Sequence, residues 1–271
     1  MRYLSIIFAA IILYSACQTT TSSKLDNATL NSVLWVQHAA EYKAATIQAY
    51  STAKTMLNSA LVDKKWTAAA EQTSDYQTLP PAIIIDVDET VLDNSPYEAQ
   101  LIKSGKAYNS DTWTAWCKEE RAKAVLGALD FCTYAHQKGV TVFYVTNRRE
   151  HLEKATRANL QRIGFPLMAD VDTVLTKTHT SDKGERRAAV AENFRILLLI
   201  GDNAGDFYSG FTKGSQDKRD SLVYRHIQNF GTKWIILPNP VYGDWESALF
   251  EYNQGLSRDE QKRIKYEHLR N

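Results

Sequence analysis

The chain has 271 residues, of which 44% are hydrophobic and 11% are aromatic, enough for one large domain with a core, or for one domain with a smaller appendage. Its 32 Lys and Arg residues nearly balance 31 Asp and Glu residues, which leaves a formal net charge of +1. This balance excludes a chain-wide field that would attract a nucleic acid polymer or an anionic membrane surface, so any anion site must be built locally.

The first 17 residues have the layout of an export signal. An early Arg precedes an apolar run that is too short to span a bilayer by itself, and small residues lead to Cys17. The end of this segment, "SAC", resembles a bacterial lipoprotein cleavage site, where the cysteine is lipidated. We therefore expect an exported outer-membrane or cell-surface lipoprotein, anchored through Cys17 and followed by a flexible tether over 18–30. Tyr14 stands where such sites usually carry Leu, which leaves a periplasmic or secreted protein as the alternative.

Residues 31–80 are expected to form a small helical appendage. Apolar residues recur at three- and four-residue steps from Asn31 to about Val62, in a stretch without Gly or Pro, which is typical of an amphipathic helix. A second helical piece is expected from Lys65 to Asp75, before two prolines.

Beyond the prolines, short apolar runs alternate with helical stretches. The runs at 82–86, 140–146, 171–175, 196–202 and 233–238 are expected to be strands, and helices are expected at 122–138 and 150–163. Continuous β-branched runs suit strands that are buried on both faces, and the intervening helices imply right-handed crossovers. The sequence thus predicts an α/β fold with a doubly wound parallel sheet and a small helical cap or appendage.

Four polar side chains should meet at one edge of this sheet. Ligands bind beyond the carboxyl ends of such strands, where the pattern places Asp86, Asp88, Thr146 and Asp202. Two carboxylates at one strand end are costly unless a cation lies between them or one of them is protonated. A hard divalent ion with oxygen ligands removes this conflict, and Mg²⁺ suits the residue types better than zinc does.

Several motifs carry a resemblance to a known family. The segment "DVDET" matches the Asp-x-Asp-x-Thr signature of haloacid dehalogenase (HAD) superfamily phosphotransferases, and "FYVTNR", a downstream Lys and "GDNAGDF" supply three further motifs in order. The wider forms "IIIDVDETVLDNSPY" and "LLLIGDNAGDF" resemble the class C acid phosphatases, also called the lipoprotein e type 5′-nucleotidase family. Because "EYKAATIQAY", "WTAWC" and "LPNPVYGDWE" extend it, the resemblance covers nearly all of the mature chain. It implies a Rossmann-like HAD core at 81–271 with a cap insertion around 95–122.

The resemblance also implies roles for the site residues. Asp86 would be the nucleophile that attacks phosphorus to form an aspartyl-phosphate, and Asp88 would protonate the leaving alkoxide and then activate water. Mg²⁺ would be held by Asp86, by Asp202 and by Asp88, the last through its backbone carbonyl. Thr146 and backbone amides near Asn147 would bind the phosphoryl oxygens.

Basic residues of "SDKGERR" complete the implied site. Lys183, three residues before Arg186, would offset negative charge on the nucleophile and the phosphoryl group. Lys177 is a nearby competitor, but the Lys-x-x-Arg spacing favours Lys183. Arg186 is expected to contact the substrate, and Asp206 is expected to orient either a metal-bound water or Lys183.

Aromatic residues suggest the substrate class. Trp113 and Tyr242 match positions that the family uses around its substrate, and their rings could stack on a nucleobase. Trp116 and Trp245 are expected to be core or interface residues instead. The resemblance thus implies hydrolysis of nucleoside 5′-monophosphates, nicotinamide mononucleotide among them, and of aryl phosphates, with the oligomeric state left open, a homo-oligomer included.

Two other functions would fit parts of the sequence. A dehalogenase would share the nucleophile but needs neither Asp88 nor Mg²⁺. A surface lipoprotein that captures haem or mediates adhesion without turnover is the non-enzymatic alternative, although the histidines of the chain are scattered and no pair has ligand spacing. Cys117 and Cys132 are in neither a metal nor a redox spacing, and we expect two separate, buried thiols.

Overall fold

A computed structural model of the chain describes residues 29–73 and 75–270. Its main sheet has five strands: β1 (Pro81–Ile85), β4 (Thr141–Arg149), β5 (Val174–Lys177), β6 (Arg195–Gly201) and β7 (Trp234–Ile236). The strands are parallel and their order is β5-β4-β1-β6-β7, so that β1 is central. Each of the five predicted strands is found within a few residues of its expected place.

Helices cover both faces of the sheet, which confirms the doubly wound arrangement. They are α1 (Leu30–His38), α2 (Ala40–Val62), α3 (Ser95–Ser104), α4 (Ser110–Lys118), α5 (Ala128–Gln137), α6 (Glu153–Ile163), α7 (Gly184–Ala191), α8 (Gln216–Arg225), α9 (Asp244–Leu249) and α10 (Arg258–Glu267). Side chains alternate along β1: Ile83 and Ile85 enter one hydrophobic cluster, with α2 and α5, whereas Ile84 enters the other, with α7 and α8. A strand buried on both faces explains the continuous apolar run in the sequence.

The helical segment expected at 31–80 differs from the prediction in two ways. It is divided at Ala39, whose ψ of 132° leaves the helical region and separates α1 from α2. Tyr50 and Leu57 of α2 lie in the same cluster as Ile83, so α2 is a layer of the α/β core rather than an appendage. The Tyr50 hydroxyl also donates to the Thr90 carbonyl at 2.6 Å, beside the end of β1.

The second helical piece expected at Lys65–Asp75 was predicted wrongly. The described residues of this stretch form turns and extended backbone. The Gln72 amide donates to the Ala191 and Phe194 carbonyls at 2.9 and 2.8 Å. These bonds, together with that of the Ala68 amide to the Ile196 carbonyl at 2.8 Å, tie the chain to the start of β6 and give its backbone partners outside a helix.

The expected insertion around 95–122 consists of α3 and α4. It is framed by an antiparallel pair of short strands, β2 (Leu92–Asp93) and β3 (Lys123–Ala124). The helix predicted at 122–138 begins only at Ala128, because β3 and the left-handed Gly127 (φ +91°) precede it. This arrangement returns the chain to the core at α5 and leaves α3 and α4 beside the carboxyl edge of β1.

Cys117 and Cys132 are buried and unpaired, as expected. The predicted signal, the tether up to residue 28 and the Cys17 lipidation site lie outside the described residues. Within the described ranges, no helix combines the length and apolarity needed to cross a membrane.

Candidate active site

The predicted site residues converge at the carboxyl edge of the sheet. Asp86 directly follows β1, Thr146 lies near the end of β4, and Asp202 directly follows β6. Lys183 precedes the first residue of α7, which brings it to the same edge. Asp86 and Lys183 are 7% and 3% exposed, so their charges interact in a poorly solvated environment.

Three carboxylates form an acidic cluster at the centre of this edge. Each of Asp86, Asp202 and Asp206 offers an oxygen that lies within 4.8 Å of those of the other two. The Thr90 hydroxyl is 3.2 Å from an oxygen of Asp86 and from one of Asp202, and the Asn239 amide donates to Asp202 at 2.8 Å. An all-oxygen donor set of this size fits a hard divalent ion.

Lys183 is the basic residue that faces this cluster. Its ammonium group forms ion pairs with Asp86 and, at 2.7 Å, with Asp206. The competing Lys177 instead contacts the Ser181 hydroxyl at 3.3 Å. The two carboxylates raise the pKa of Lys183 although burial opposes them.

The pKa values of two carboxyl groups in the acidic cluster are raised, because their negative charges are buried close together. Burial raises the pKa of Asp86 to about 6, against the opposing charge of Lys183 and together with the repulsion of Asp206. Burial and the repulsion of Asp86 also raise the pKa of Asp202 well above its ordinary value. Without a cation, Asp86 and Asp202 therefore bind protons more readily than ordinary aspartates do.

Local backbone geometry fixes Asp206. Its second oxygen accepts from the Asn203 backbone at 3.0 Å and closes a capping box over a short 3₁₀ helix at Ala204–Asp206. Gly201 makes room for this carboxylate, because a Cβ at that position would lie 2.1 Å from an Asp206 oxygen. The strand end thus requires glycine on steric grounds.

A buried arginine stabilises the loop that carries Asp206. Arg187 is fully buried and donates to the Gly205 and Asp206 carbonyls at 3.3 and 3.0 Å. Its guanidinium is paired with Glu71 at 2.7 Å. The segment that precedes β1 therefore helps to position the acidic cluster.

Asp88 occupies a different position from the acidic cluster. Its carboxylate accepts from the guanidinium of Arg148 at 2.8 and 2.9 Å, from the Asn94 amide at 2.9 Å and from the Thr146 hydroxyl at 3.1 Å. The predicted contribution of Asp88 to the metal site was through its backbone carbonyl, and it stays a prediction. In the parallel sheet the Asp88 side chain lies on the β4 side, away from Asp202.

Arg148 is a site residue that the sequence interpretation missed. It is 2% exposed, and its partners include the Asp88 carboxylate and the Asn94 side-chain carbonyl. The signal was available, because side chains two apart on a strand share a face and Thr146 had already been assigned to the site. Asn94 was missed as well: it is the N-cap residue of α3, and its side chain is used by Asp88, Arg148 and Trp116 instead of by the helix.

Arg186 lies beside the predicted phosphoryl-binding residues. Its guanidinium donates to the Thr146 carbonyl and, at 2.8 Å, to the side-chain oxygen of the exposed Asn147. The Thr146 hydroxyl accepts from the Arg148 backbone at 3.0 Å. These bonds give the turn after Thr146 a fixed shape.

The two predicted stacking residues are partly buried beside the site. Trp113 lies 5.5 Å from the guanidinium carbon of Arg148 and packs edge-on against Tyr97 at 5.1 Å. The Tyr242 hydroxyl donates to the carboxylate of Glu89, the residue between Asp88 and Thr90. Trp113 thus approaches from the insertion and Tyr242 from the loop after β7.

The two other tryptophans with predicted positions, Trp116 and Trp245, differ in burial. Trp116 is a core residue, as predicted, with 3% of its surface exposed and its indole nitrogen bonded to Asn94 at 2.8 Å. Trp245 is not a core residue, because 43% of its surface is exposed, and the interface position that was the other expectation for it stays a prediction. Its place near the first turn of the short helix α9 leaves most of one side of the ring in solvent.

Comparison with known proteins identifies the family. Residues 14–245 match the family described as HAD superfamily, subfamily IIIB (Acid phosphatase). The chain belongs to this family. HAD enzymes generally use a divalent metal, and the acidic cluster of Asp86, Asp202 and Asp206 offers the ligands for one.

Solved structures of a class C acid phosphatase share the fold. The class C acid phosphatase from Bacillus anthracis is 39% identical and superposes with a TM-score of 0.82, over 92% of this chain and 99% of that chain. The same enzyme with tungstate bound is 38% identical, with a TM-score of 0.81 and the same coverage. Acid phosphatase 1 from Solanum lycopersicum is 32% identical over 164 residues, which span 59% of this chain and 57% of that protein.

Proposed function

We propose that the protein is a Mg²⁺-dependent phosphomonoester hydrolase of the acid phosphatase type, acting through an aspartyl-phosphate on nucleoside 5′-monophosphates and aryl phosphates. The observation that carries this proposal is the contact of the buried Asp86 with Lys183 inside a cluster that also contains Asp202 and Asp206. A carboxylate flanked by a fixed ammonium group and a cation site is poised to accept an anionic phosphoryl group.

The chemistry divides between the two aspartates of "DVDET". An oxygen of Asp86 would attack phosphorus while the ester bond to the leaving alkoxide breaks, and Asp88 would give that alkoxide a proton. Asp88 would then take a proton from the water that hydrolyses the aspartyl-phosphate. Arg148 and Thr146 fix the Asp88 carboxylate on the β4 side, where it can serve both steps from one position.

Charge balance supports a divalent ion in the same site. Four aspartates (Asp86, Asp88, Asp202 and Asp206) face two cations, Lys183 and Arg148, so the centre has a negative excess before any substrate arrives. Mg²⁺ held by Asp86 and Asp202, with Asp206 and the Asp88 carbonyl adjacent, would neutralise this excess and polarise the phosphoryl oxygens. Tungstate in the Bacillus anthracis relative is a tetrahedral oxyanion, like phosphate.

The substrate class rests on Trp113 and Tyr242. Their rings stand on two sides of the site, and base–aromatic stacking is favourable by ~1–3 kcal/mol per base. Small aryl phosphates are included because of the family resemblance, whereas nucleoside 5′-monophosphates, including nicotinamide mononucleotide, carry a flat base that the ribose could hold between these two rings. This is why we place them ahead of sugar phosphates.

A panel of phosphate esters tests the activity. Purified protein should release phosphate with Mg²⁺ and should lose this activity in EDTA. Asp86→Asn should abolish turnover, whereas Asp220→Asn, which changes an exposed aspartate on α8, should leave it unchanged. Normal turnover by Asp86→Asn would rule out the covalent mechanism, and haem binding or adhesion without turnover by the parent would favour the non-enzymatic alternative.

Export to the cell surface is proposed on the sequence alone. A lipid on Cys17 would anchor the protein to the outer membrane or the cell surface. Mass spectrometry of the membrane-bound form should find a lipidated N-terminal cysteine, and Cys17→Ala should release the protein into the soluble fraction. A membrane-bound Cys17→Ala variant would contradict the anchor.

A further inference from the structure

A group of basic residues lies outside the acidic cluster, and we call Arg149, Lys177 and Arg186 the rim cluster. Arg149 and Lys177 are register partners at the carboxyl ends of β4 and β5. Arg186, in the first turn of α7, reaches the same place through its bonds to Thr146 and Asn147. Three different elements therefore bring positive charge to one side of the candidate active site.

The rim cluster has no carboxylate partner of its own. Among the described residues, its members form no ion pair, and their hydrogen bonds are to neutral oxygens such as the Ser181 hydroxyl. Asp86, Asp206 and Asp182 attract the charge of Arg186 only from beyond ion-pair distance. The nearby Asp182 carboxylate is occupied by the Ser209 hydroxyl at 2.7 Å and by the Gly184 amide at 2.8 Å. Burial and the positive charges of Arg149 and Arg186 lower the pKa of Lys177, as expected for like charges held together without an anion.

The cations of the centre differ in this respect. Lys183 is neutralised by Asp86 and Asp206, and Arg148 by Asp88. Positive charge without an ion-pair partner is thus concentrated in the rim cluster, and in Arg149 and Lys177 above all, because the Arg186 guanidinium already donates to Thr146, Asn147 and the Asp182 carbonyl. Free arginine and lysine groups of this kind suit a phosphate, which accepts several charge-assisted hydrogen bonds at once.

The positions of Arg149 and Lys177 separate them from the reacting phosphoryl group, whereas Arg186 is bonded to the Thr146 carbonyl and adjoins both places. Arg149 lies three residues beyond Thr146 on β4, which is roughly 10 Å of extended strand. A phosphoryl group in contact with Asp86 and Thr146 therefore cannot also occupy the space between Arg149 and Lys177. The rim cluster is suited to a different part of the same ligand.

We propose that Arg149, Lys177 and Arg186 bind a second phosphate group of the substrate, so that the preferred substrates are phosphomonoesters that carry another phosphate. This inference rests on the proposed phosphatase function and specifies its substrate class. A nucleoside bisphosphate would place one phosphate against Asp86 and the other against the rim cluster.

Two substrates that differ only in the second phosphate test this inference. Phosphate release is measured with adenosine 5′-monophosphate and with adenosine 3′,5′-bisphosphate, and the ratio of their kcat/KM values is compared between variants. The parent should favour the bisphosphate by about tenfold, the value of one charge-assisted contact. Lys177→Met and Arg149→Met should each bring the ratio towards one.

Lys138→Met is the matched control, because Lys138 is an exposed lysine that follows α5 and lies just before β4, at the amino-terminal ends of the strands. It should keep the parent's ratio. An equal kcat/KM for both substrates in the parent, or a preference that survives both Lys177→Met and Arg149→Met, would overturn the inference and leave the phosphatase function intact.

A binding measurement separates this inference from the proposed function. Calorimetric titration of Asp86→Asn protein with each nucleotide should give tighter binding of the bisphosphate, and adding Lys177→Met should remove the difference. If this result is obtained while the parent turns over neither nucleotide, the second-phosphate site stands and the proposed reaction fails. If the two nucleotides bind equally, the second-phosphate site fails.

Discussion

Replacing Lys183 with methionine tests the electrostatic account of the site most directly. The Lys183 side chain is 4% exposed and pairs with Asp86 and Asp206. Methionine keeps much of the apolar stem but leaves these carboxylates without their cation. Removing one partner of a buried ion pair costs about 3–5 kcal/mol, a large part of the ~5–15 kcal/mol by which a domain is stable. We expect a loss of that size in the free energy of unfolding of the metal-free variant, together with loss of turnover.

The loss should depend on pH in a definite direction. The folded-state pKa of Asp86 is raised from 3.8 to about 6, so the metal-free folded state binds this proton more tightly than the unfolded state does. The resulting stabilisation of the folded state is fully present below pH 3.8 and is lost as pH rises through about 6. Because Lys183 opposes the rise, its removal raises the pKa of Asp86 further. The deficit of the variant should therefore be larger near neutral pH than in acid.

Urea unfolding in EDTA, followed by tryptophan fluorescence, measures this deficit at about pH 5 and about pH 7. Lys177→Met is the control, since among the described residues the Lys177 ammonium group has a hydrogen bond to the Ser181 hydroxyl and no ion pair. Its free energy of unfolding should change by less than about 0.5 kcal/mol. Saturating Mg²⁺ should restore part of the stability of Lys183→Met. An unchanged unfolding midpoint for Lys183→Met at neutral pH would refute the argument.

Three other changes have defined outcomes. Arg148→Met should lower kcat by about 10²-fold, because the proposed general acid loses its buried guanidinium partner; a normal kcat would contradict that role. Burial and the charge of Glu246 raise the pKa of Glu98 from 4.5 to about 7, so the free energy of unfolding falls as pH rises between these values. Glu98→Gln should reduce that fall by up to about 3 kcal/mol. Identical pH–stability curves for the parent and the variant would count against this prediction. Alanine at Trp113 or at Tyr242 should raise KM for nucleotides several times more than KM for a small aryl phosphate, and equal increases would exclude stacking.

The strands and the acidic residues of the site could be predicted from the sequence because each depends on a local pattern. The runs that form β1, β4 and β6 are apolar on both faces, and the rule that ligands bind at the carboxyl ends of parallel strands is enough to place Asp86 and Asp202 together. The family resemblance assigned Lys183 over Lys177, a choice that depended on the Lys-x-x-Arg spacing.

What could not be predicted depends on contacts between distant residues. The break between α1 and α2 at Ala39 could not be predicted, because no glycine or proline marks it in the sequence. Lys65–Asp75 resembles a helix locally, but the bonds of Gln72 to Ala191 and Phe194, 119 and 122 residues away, hold it open. The use of Asn94 by Asp88 and Arg148 in place of a simple helix cap likewise requires the folded insertion.

The strand order has a consequence for a chain that is still being synthesised. β1 is synthesised first but lies between β4 and β6 in the sheet. Lys183, Asp202 and Asp206, the partners of Asp86 in the site, are synthesised roughly a hundred residues after it. No nascent fragment that ends before residue 206 contains a complete reaction centre. Hydrolysis of phosphate esters by fragments of this length is therefore excluded by the order in which the site residues follow one another along the chain.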